Sequence, residues 1–373
     1  MREEFDVLVT DSTYKHALAA IRCLGKYKLN ILTCSEGFSP SKFSIFSKKS
    51  YTYSKEEFIK KLIEHIKSNK ISVVLPIGYE SNIQCAKHKK EIEEYSNIFI
   101  ADEKTMNFVS DKQKMDSFIK KNKFPCPRTY IIKKLEDAEK IKINSEMIIK
   151  SSREMLGKKV EYIKNKEELL KRVEERLVYG PQIVQELVSG WGCGFFALCE
   201  KGEIRASFQH KRLREYPASG GVSSLSRSYY NKELENISKK ILLKLKWNGP
   251  AMIEFIFDEK DKQFKYIEFN AKFWGSLDLA IESGVDFPYL TYLSALGKKF
   301  KKPDYKKDIK FQWILPEDTL RLKTTSRKLK ETWIYIKDLF NPKIKKDINY
   351  LFIDPLPTII RIASTTYKML FKK

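Results

Sequence analysis

The sequence lacks the marks of several simple functional classes. Its six cysteines, Cys23, Cys34, Cys85, Cys126, Cys193 and Cys199, form no CxxC pair, and its four histidines (His16, His65, His88, His210) are scattered. That argues against a zinc site and fits buried, reduced thiols. No apolar run approaches the ~20 residues needed to cross a bilayer. The opening "MREEFDVLVTD" is acidic and then strand-like, without the basic and apolar regions of a secretory signal, so the expected location is the cytoplasm. No GxGxxG follows the first strand, where the turn reads "TDSTYK", and a dinucleotide fingerprint is therefore absent. Internal repeats and low-complexity tracts are missing as well.

Acidic residues are in short supply. The chain has 71 Lys and Arg against 48 Asp and Glu, a net +23. Residues 298–373 hold 20 of those bases against 8 acids, so about half the excess lies in a fifth of the chain. A basic tail of this kind can bind anionic lipid or nucleic acid, or be a solvated lysine-rich surface. The aromatic–glycine interleaving of RNA-binding sheets is absent, which makes nucleic acid the weakest of these. The segment "PTIIRIASTTYKMLFKK" puts Ile359, Ile360, Ile362, Ala363, Tyr367, Leu370 and Phe371 roughly on one helical side, beside a basic end. It reads either as a helix packed on its own domain or as a peripheral contact with an anionic membrane.

What is present supports a real core: 42% of residues are hydrophobic and 13% aromatic. At 373 residues the chain has room for two to three domains. Residues 1–110 alternate strands ("FDVLVT", "LNILTC", "ISVVLP", "SNIFIA") with helices ("YKHALAAIRCLGKYK", "KEEFIKKLIEHIKS"). That order predicts an α/β domain with a doubly wound parallel sheet. Ser110 or Asp111 can cap a helix running from Lys112 to about Asn122, and Pro125 and Pro127 then force extended chain. From residue 129 the pattern becomes α+β. "EMIIKSS", "KKVEYI" and "PQIVQELV" are strands around the helix "KEELLKRVEERL". "GCGFFALCE" and "EIRASFQHKRL" form a pair turning at Lys201-Gly202. The helix "KELENISKKILLKLKW" precedes strands "PAMIEFIFD" and "QFKYIEFNA". The expected division is 1–110, then 111–300 with a small lobe at 129–188 and a larger one at 189–300, then a basic extension at 301–373.

The segment "YIEFNAKFWGS", Tyr266 to Ser276, carries Glu268, Asn270 and Lys272 at alternate positions. In a continuous strand all three share a face, with Phe269, Ala271 and Phe273 opposite. Glu254, in the preceding strand, can face Glu268. Two carboxylates and an amide oxygen suit Mg²⁺, with Lys272 in reach of a phosphoryl oxygen; a Glu–Lys ion pair across a sheet fits equally well. Lys150 ends a strand before the polar loop "SSREMLGKK", where a point charge can meet phosphate. "QELV", Gln185 to Val188, precedes a glycine turn. "FQHKRLREYPASGG" gathers His210, Lys211, Arg212 and Arg214 in a basic strand.

In this order the parts resemble the ATP-grasp family over about residues 1–300, and its carbamoyl-phosphate-synthase-like members in particular. Their last motif reads Glu-x-Asn-x-Arg before "FWGS". The resemblance implies a pre-ATP-grasp α/β domain followed by a two-lobed ATP-grasp domain. It implies that Lys112 and Lys150, with Ser151 and Ser152, meet the phosphates of ATP. Gln185, Glu186 and Val188 would hold adenine. Glu254, Glu268 and Asn270 would hold Mg²⁺ or Mn²⁺. Lys211, Arg212 and Lys272 would handle the transferred phosphoryl group and the carboxylate. The reaction implied is phosphorylation of a small-molecule carboxylate, a metabolite or cell-envelope precursor, followed by attack of an amine to give an amide and ADP. Phosphorylation of bicarbonate or carbamate is the alternative, although one grasp unit rather than two argues against a complete synthase. A nucleotide-binding, membrane-associated protein without catalysis is the third reading. Two departures stand out. Lys272 replaces the motif's arginine and loses its bidentate fork, and the loop "SSREMLGKK" has a single glycine, Gly157. Thr10–His16 and Pro76–Ser81 follow strands and are candidate substrate loops. A homodimer is expected on general grounds.

Overall fold

The computed structural model describes residues 3–151, 160–218 and 220–371. The chain divides into two compact units. One comprises Met1–Glu103, Gly194–Met252 and Ala271–Lys373; the other comprises Lys104–Cys193 and Ile253–Asn270.

The first unit begins with strands β1 (Glu4–Val9), β2 (Ile31–Glu36), β3 (Ser47–Tyr53), β4 (Lys70–Leu75) and β5 (Asn97–Ile98). They form a parallel sheet in the order β3-β2-β1-β4-β5. Val7, Leu8 and Val9 are all fully buried, as expected for a parallel strand covered on both faces. The helix Lys15–Lys26 buries Ala17 through Leu24. Its Gly25 is required by a close approach, since a Cβ there would lie 2.2 Å from the Phe46 ring. The strand order reverses between β1 and β4, and ligand crevices in doubly wound sheets open at such a switch point. The loops following β1 and β4 flank it.

In the second unit, β6 (Thr129–Ile132), β7 (Met147–Ser151), β8 (Glu161–Ile163) and β9 (Gln182–Glu186) make an antiparallel sheet in the order β6-β9-β7-β8. Helices Leu135–Glu139 and Lys166–Leu177 close a small core of Ile132, Met147, Ile149, Leu169, Val173 and Val184. The expected helix after Asp111 spans Lys112–Lys121. The Asp111 carboxylate accepts from the Gln113 and Lys114 amides at 3.0 and 3.1 Å, so Asp111 rather than Ser110 is the cap.

The remaining strands are β10 (Gly190–Glu200), β11 (Glu203–Tyr216), β12 (Val222–Ser228), β13 (Gly249–Asp258), β14 (Phe264–Asn270), β15 (Lys310–Gln312) and β16 (Ile344–Lys346). Chain continuity carries β10 and β13 from one unit into the other. Within the first unit the order is β13-β10-β11-β12-β15-β16; within the second, β13 neighbours β14. The turn from β10 to β11 falls at Lys201-Gly202, both with positive φ (51° and 88°), the geometry of a tight two-residue hairpin. The first unit's core joins Val7, Ala20, Phe196, Phe208, Trp274 and Trp313. Two buried hubs tie in the last seventy residues. Asp318 receives Arg214, Arg321, Ser224 and Gln312. Asp354 receives Arg22 at 2.8 Å, Ser44 at 2.9 Å and the Ile45 amide at 3.0 Å.

Candidate functional site

The second unit gathers most of the residues singled out in the sequence. Lys112 opens its helix and its Nζ lies 2.9 Å from Glu268 Oε1, with both side chains roughly a quarter exposed (26% and 29%). On the β13–β14 pair, Asn270 Nδ2 donates to Glu254 Oε1 at 3.1 Å. On β7, Lys150 Nζ donates to Gln185 Oε1 at 3.1 Å, and Gln185 Nε2 donates to Thr129 Oγ1 at 2.9 Å. Cross-strand register makes these contacts: Ile148 lies opposite Gln185 and Thr129 opposite Gln185 on the other side. Burial pulls the Lys150 ammonium below its ordinary pKa, and Lys112 adds to this. Glu268, Asp116 and Glu254 push it the other way. One electrostatic neighbourhood therefore holds Lys112, Lys150, Asp116, Glu254 and Glu268. Asp116 and Thr129 were not anticipated. Asp116 sits four residues after Lys112, so helical spacing already put the two on one face.

The hinge after β9 is held by its backbone. The Glu186 amide donates to Arg128 O at 2.9 Å and the Leu187 amide to Glu146 O at 3.0 Å. Val188 is half-buried. Gly190 has no room for a side chain, since a Cβ would meet Phe257 O at 1.9 Å. Ser151 ends β7, while Ser152 and Gly157 lie outside the described residues. A cleft of about 1170 Å³ opens between the helix Lys112–Lys121 and β6, lined by Asp116, Lys120, Thr129 and Tyr130 among others. It touches the cluster at Asp116 and Thr129 only, so the donor set rather than this cleft defines the candidate site.

The first unit holds Lys211, Arg212 and Lys272. Strand β14 ends at Asn270, so strand alternation aligns Glu268 with Asn270 and does not reach Lys272. Instead, Lys272 Nζ lies 5.6 Å from the centre of the Tyr79 ring. Lys272 also acts on His16, whose pKa falls to about 3 through burial, then Lys272, then Lys15. The imidazole is thus neutral at any physiological pH. The loops after β1 and β4 are bonded to one another. The Gly78 amide and Ser81 Oγ donate to Asp11 Oδ2 at 2.8 and 2.6 Å, and the Ile77 amide donates to Thr10 Oγ1 at 3.1 Å. Lys15, at the start of its helix, pairs with Glu317 at 2.8 Å and sits 5.0 Å over the Trp313 ring. Lys15 and Glu317 are 302 positions apart, and no local pattern links them.

Two of the four bases between His210 and Arg214 on β11 have structural work. His210 is fully buried, with its pKa driven well below the ordinary value by burial and Arg212. Arg214 is held by Asp318 at 2.7 Å and Asp338 at 2.5 Å. Lys211 and Arg212, the two bases expected to handle the transferred phosphoryl group and the carboxylate, lie between them in sequence. Arg212 itself bonds Glu215 at 2.9 Å and Gly221 O at 3.2 Å. A register shift between Arg212 and Glu215 redirects these side chains.

Glu254, Glu268 and Asn270 are hard oxygen ligands of the kind Mg²⁺ takes. Among the described residues no group of three or more His, Cys, Asp or Glu is placed to hold a metal.

Residues 109–276 match the ATP-grasp domain. No curated protein matches the sequence. Solved structures share the fold at low identity. One is the biotin carboxylase domain dimer of Hydrogenobacter thermophilus 2-oxoglutarate carboxylase, in complex with MgADP, ADP and bicarbonate. It has 16% identity and a TM-score of 0.65, over 82% of this chain and 73% of that one. N5-carboxyaminoimidazole synthetase from Staphylococcus aureus has 12% identity and a TM-score of 0.64, over 80% and 79%. L-amino acid ligase from Bacillus licheniformis has 16% identity and a TM-score of 0.62, over 82% and 79%. Through the matched sequence and the shared fold, residues 109–276 of this chain are an ATP-grasp domain.

Proposed function

We propose that the protein is an ADP-forming ligase that activates a small carboxylate as an acyl phosphate and joins it to an amine. The observation that carries this reading is the cluster in the second unit: Lys112 on Glu268, Asn270 on Glu254, and the half-buried Lys150 in the field of three carboxylates. Lys112 and Lys150, with Ser151, are assigned to the phosphates of ATP, and Gln185, Glu186 and Val188 to its adenine. Glu254, Glu268 and Asn270 are assigned to Mg²⁺. The bound metal supplies charge neutralisation on the phosphoryl group. Lys112 would exchange its carboxylate partner for a phosphate oxygen. The burial that disfavours the Lys150 ammonium is offset by an arriving anion. Lys272, with Lys211 and Arg212, is assigned to the carboxylate and the group in transfer. A carboxylate oxygen attacks the γ-phosphorus and ADP leaves; the amine nitrogen attacks the acyl carbon, phosphate leaves, and the amine proton passes to solvent or a base.

The test is an acyl-phosphate trap. The protein is incubated with Mg-ATP, hydroxylamine and pooled carboxylic acids, and hydroxamate and ADP are read by mass spectrometry. A hydroxamate formed together with ADP is expected, and names the acid. No hydroxamate and no ADP across broad pools would overturn the reading. A second reading, phosphorylation of bicarbonate, is favoured by the bicarbonate held in the Hydrogenobacter thermophilus structure. ADP release with bicarbonate alone, and no organic acid, would replace the first reading with this one.

A further inference from the structure

Two helices near the end of the first unit turn an apolar stripe outward. In the helix Lys328–Leu339, the bonds to the rest of the unit come from polar side chains, with Ile334 and Leu339 half-buried beside them. Glu331 binds Arg321 at 2.9 Å, the Tyr335 hydroxyl meets Thr319 Oγ1 at 3.1 Å, and Asp338 binds Arg214 at 2.5 Å. Positions 331, 335 and 338 lie on one helix face. The opposite face carries Leu329, Trp333, Ile336 and Phe340, at 92%, 71%, 39% and 78% exposure. No residue of this helix is buried, although a surface helix normally turns its apolar stripe to the core. The helix Pro355–Phe371 also bonds the unit through polar groups, beside buried Pro357 and half-buried Ile362. Thr358 accepts from Arg22, Arg361 donates to Leu315 O, and Thr365 is buried. Leu356, Ile359, Tyr367 and Phe371 on the other side are exposed.

Charge selects the occupant. Both acids of the helix Lys328–Leu339, Glu331 and Asp338, are turned inward into ion pairs. Arg327, Lys328, Lys330 and Lys337 are exposed around the stripe. A second copy of the chain would set cations against cations. An anionic headgroup layer offers the opposite charge, with an apolar interior for the stripe and an interfacial seat for Trp333. Among the described residues no helix is long and apolar enough to cross a membrane, so the contact lies on a bilayer surface. We propose that the outward stripe of the helix Lys328–Leu339 is a docking surface for an anionic lipid bilayer. The inference is independent of the ligase reading.

The test uses the full chain and vesicles of phosphatidylcholine with or without phosphatidylglycerol, read by co-sedimentation and tryptophan emission. Binding to the anionic vesicles with a blue shift is expected, at least about tenfold weaker without phosphatidylglycerol or at high salt. The double variant Trp333→Ser/Phe340→Ser should bind about 100-fold less tightly, because two large side chains no longer enter the apolar layer. It should melt like the parent, since both positions are exposed. Three results would overturn the proposal: no binding of the parent to anionic vesicles, equal binding of parent and variant, or a lipid-free dimer that the variant breaks while vesicles are ignored.

Discussion

Asp318 and Glu268 are both carboxylates in contact with cations, yet the two regions around them are built differently. Asp318 is fully buried and receives two arginines, Arg214 at 2.7 Å and Arg321 at 3.0 Å, with Ser224 and Gln312 filling its remaining lone pairs. Glu268 is 29% exposed, and its Lys112 partner, at 2.9 Å, is as open as it is. The first arrangement has no vacancy for a ligand and cannot be remade without unfolding what surrounds it. The second can exchange partners at little cost, because water already reaches it. Saturation and burial mark the structural pair, and partial exposure marks the pair available to chemistry.

The sharpest way to break this contrast is Asp318→Ala. It leaves Arg214 with Asp338 and Arg321 with Glu331 as their remaining carboxylates, takes away the acceptor of Ser224 and Gln312, and should cost about 1–3 kcal/mol of stability, measured by denaturant unfolding. A loss below about 1 kcal/mol would remove the distinction. Glu268→Gln should do the reverse. ATP-dependent turnover should fall about 100- to 1000-fold, the range seen when one electrostatic stabiliser is removed, while the melting curve stays in place. Full activity in that variant would sink the metal assignment. The smallest effect is expected at Asp347, a buried acid whose nearest cation, Arg361, is 3.8 Å away and which instead accepts the Ile314 and Leu315 amides. Burial raises its pKa from 3.8 to about 6. The folded protein therefore keeps a proton that the unfolded chain releases, and stability falls as pH rises from about 4 to about 6. Asp347→Asn should flatten melting temperature across that window, with a net change at neutral pH within about 1 kcal/mol. An unchanged slope would refute the assignment.

Much of the candidate site could be read in advance because its signals are local. Asp111 is a helix cap placed one residue before Lys112. The alternation of Glu268 and Asn270 survives because β14 runs through both. Signals that depend on where an element ends did not survive. Lys272 falls two residues past that strand, and the shift after Arg212 redirects the bases of β11. Strand β12, "VSSLSRS", is too polar and small to announce itself, yet it is buried beside Asp318. The apolar side of "PTIIRIASTTYKMLF" was visible as a stripe. Whether a stripe points in or out is settled by what the opposite face binds, here Arg22 and Leu315, which are far away in sequence. Each unit is assembled from separated stretches of chain, and composition along the sequence does not reveal such an assembly.

The pairing of Arg22 with Asp354 has a consequence for synthesis. Both side chains are almost completely shielded, at 4% and 0% exposure, so the arginine needs its partner before the first helix can settle on the sheet. That partner is 332 residues later. A ribosome adding about 5–20 residues per second delivers Asp354 roughly 17–66 s after Arg22. Arg22 therefore lacks its carboxylate until the intervening chain has been made, which sets the earliest time at which this helix reaches its final packing.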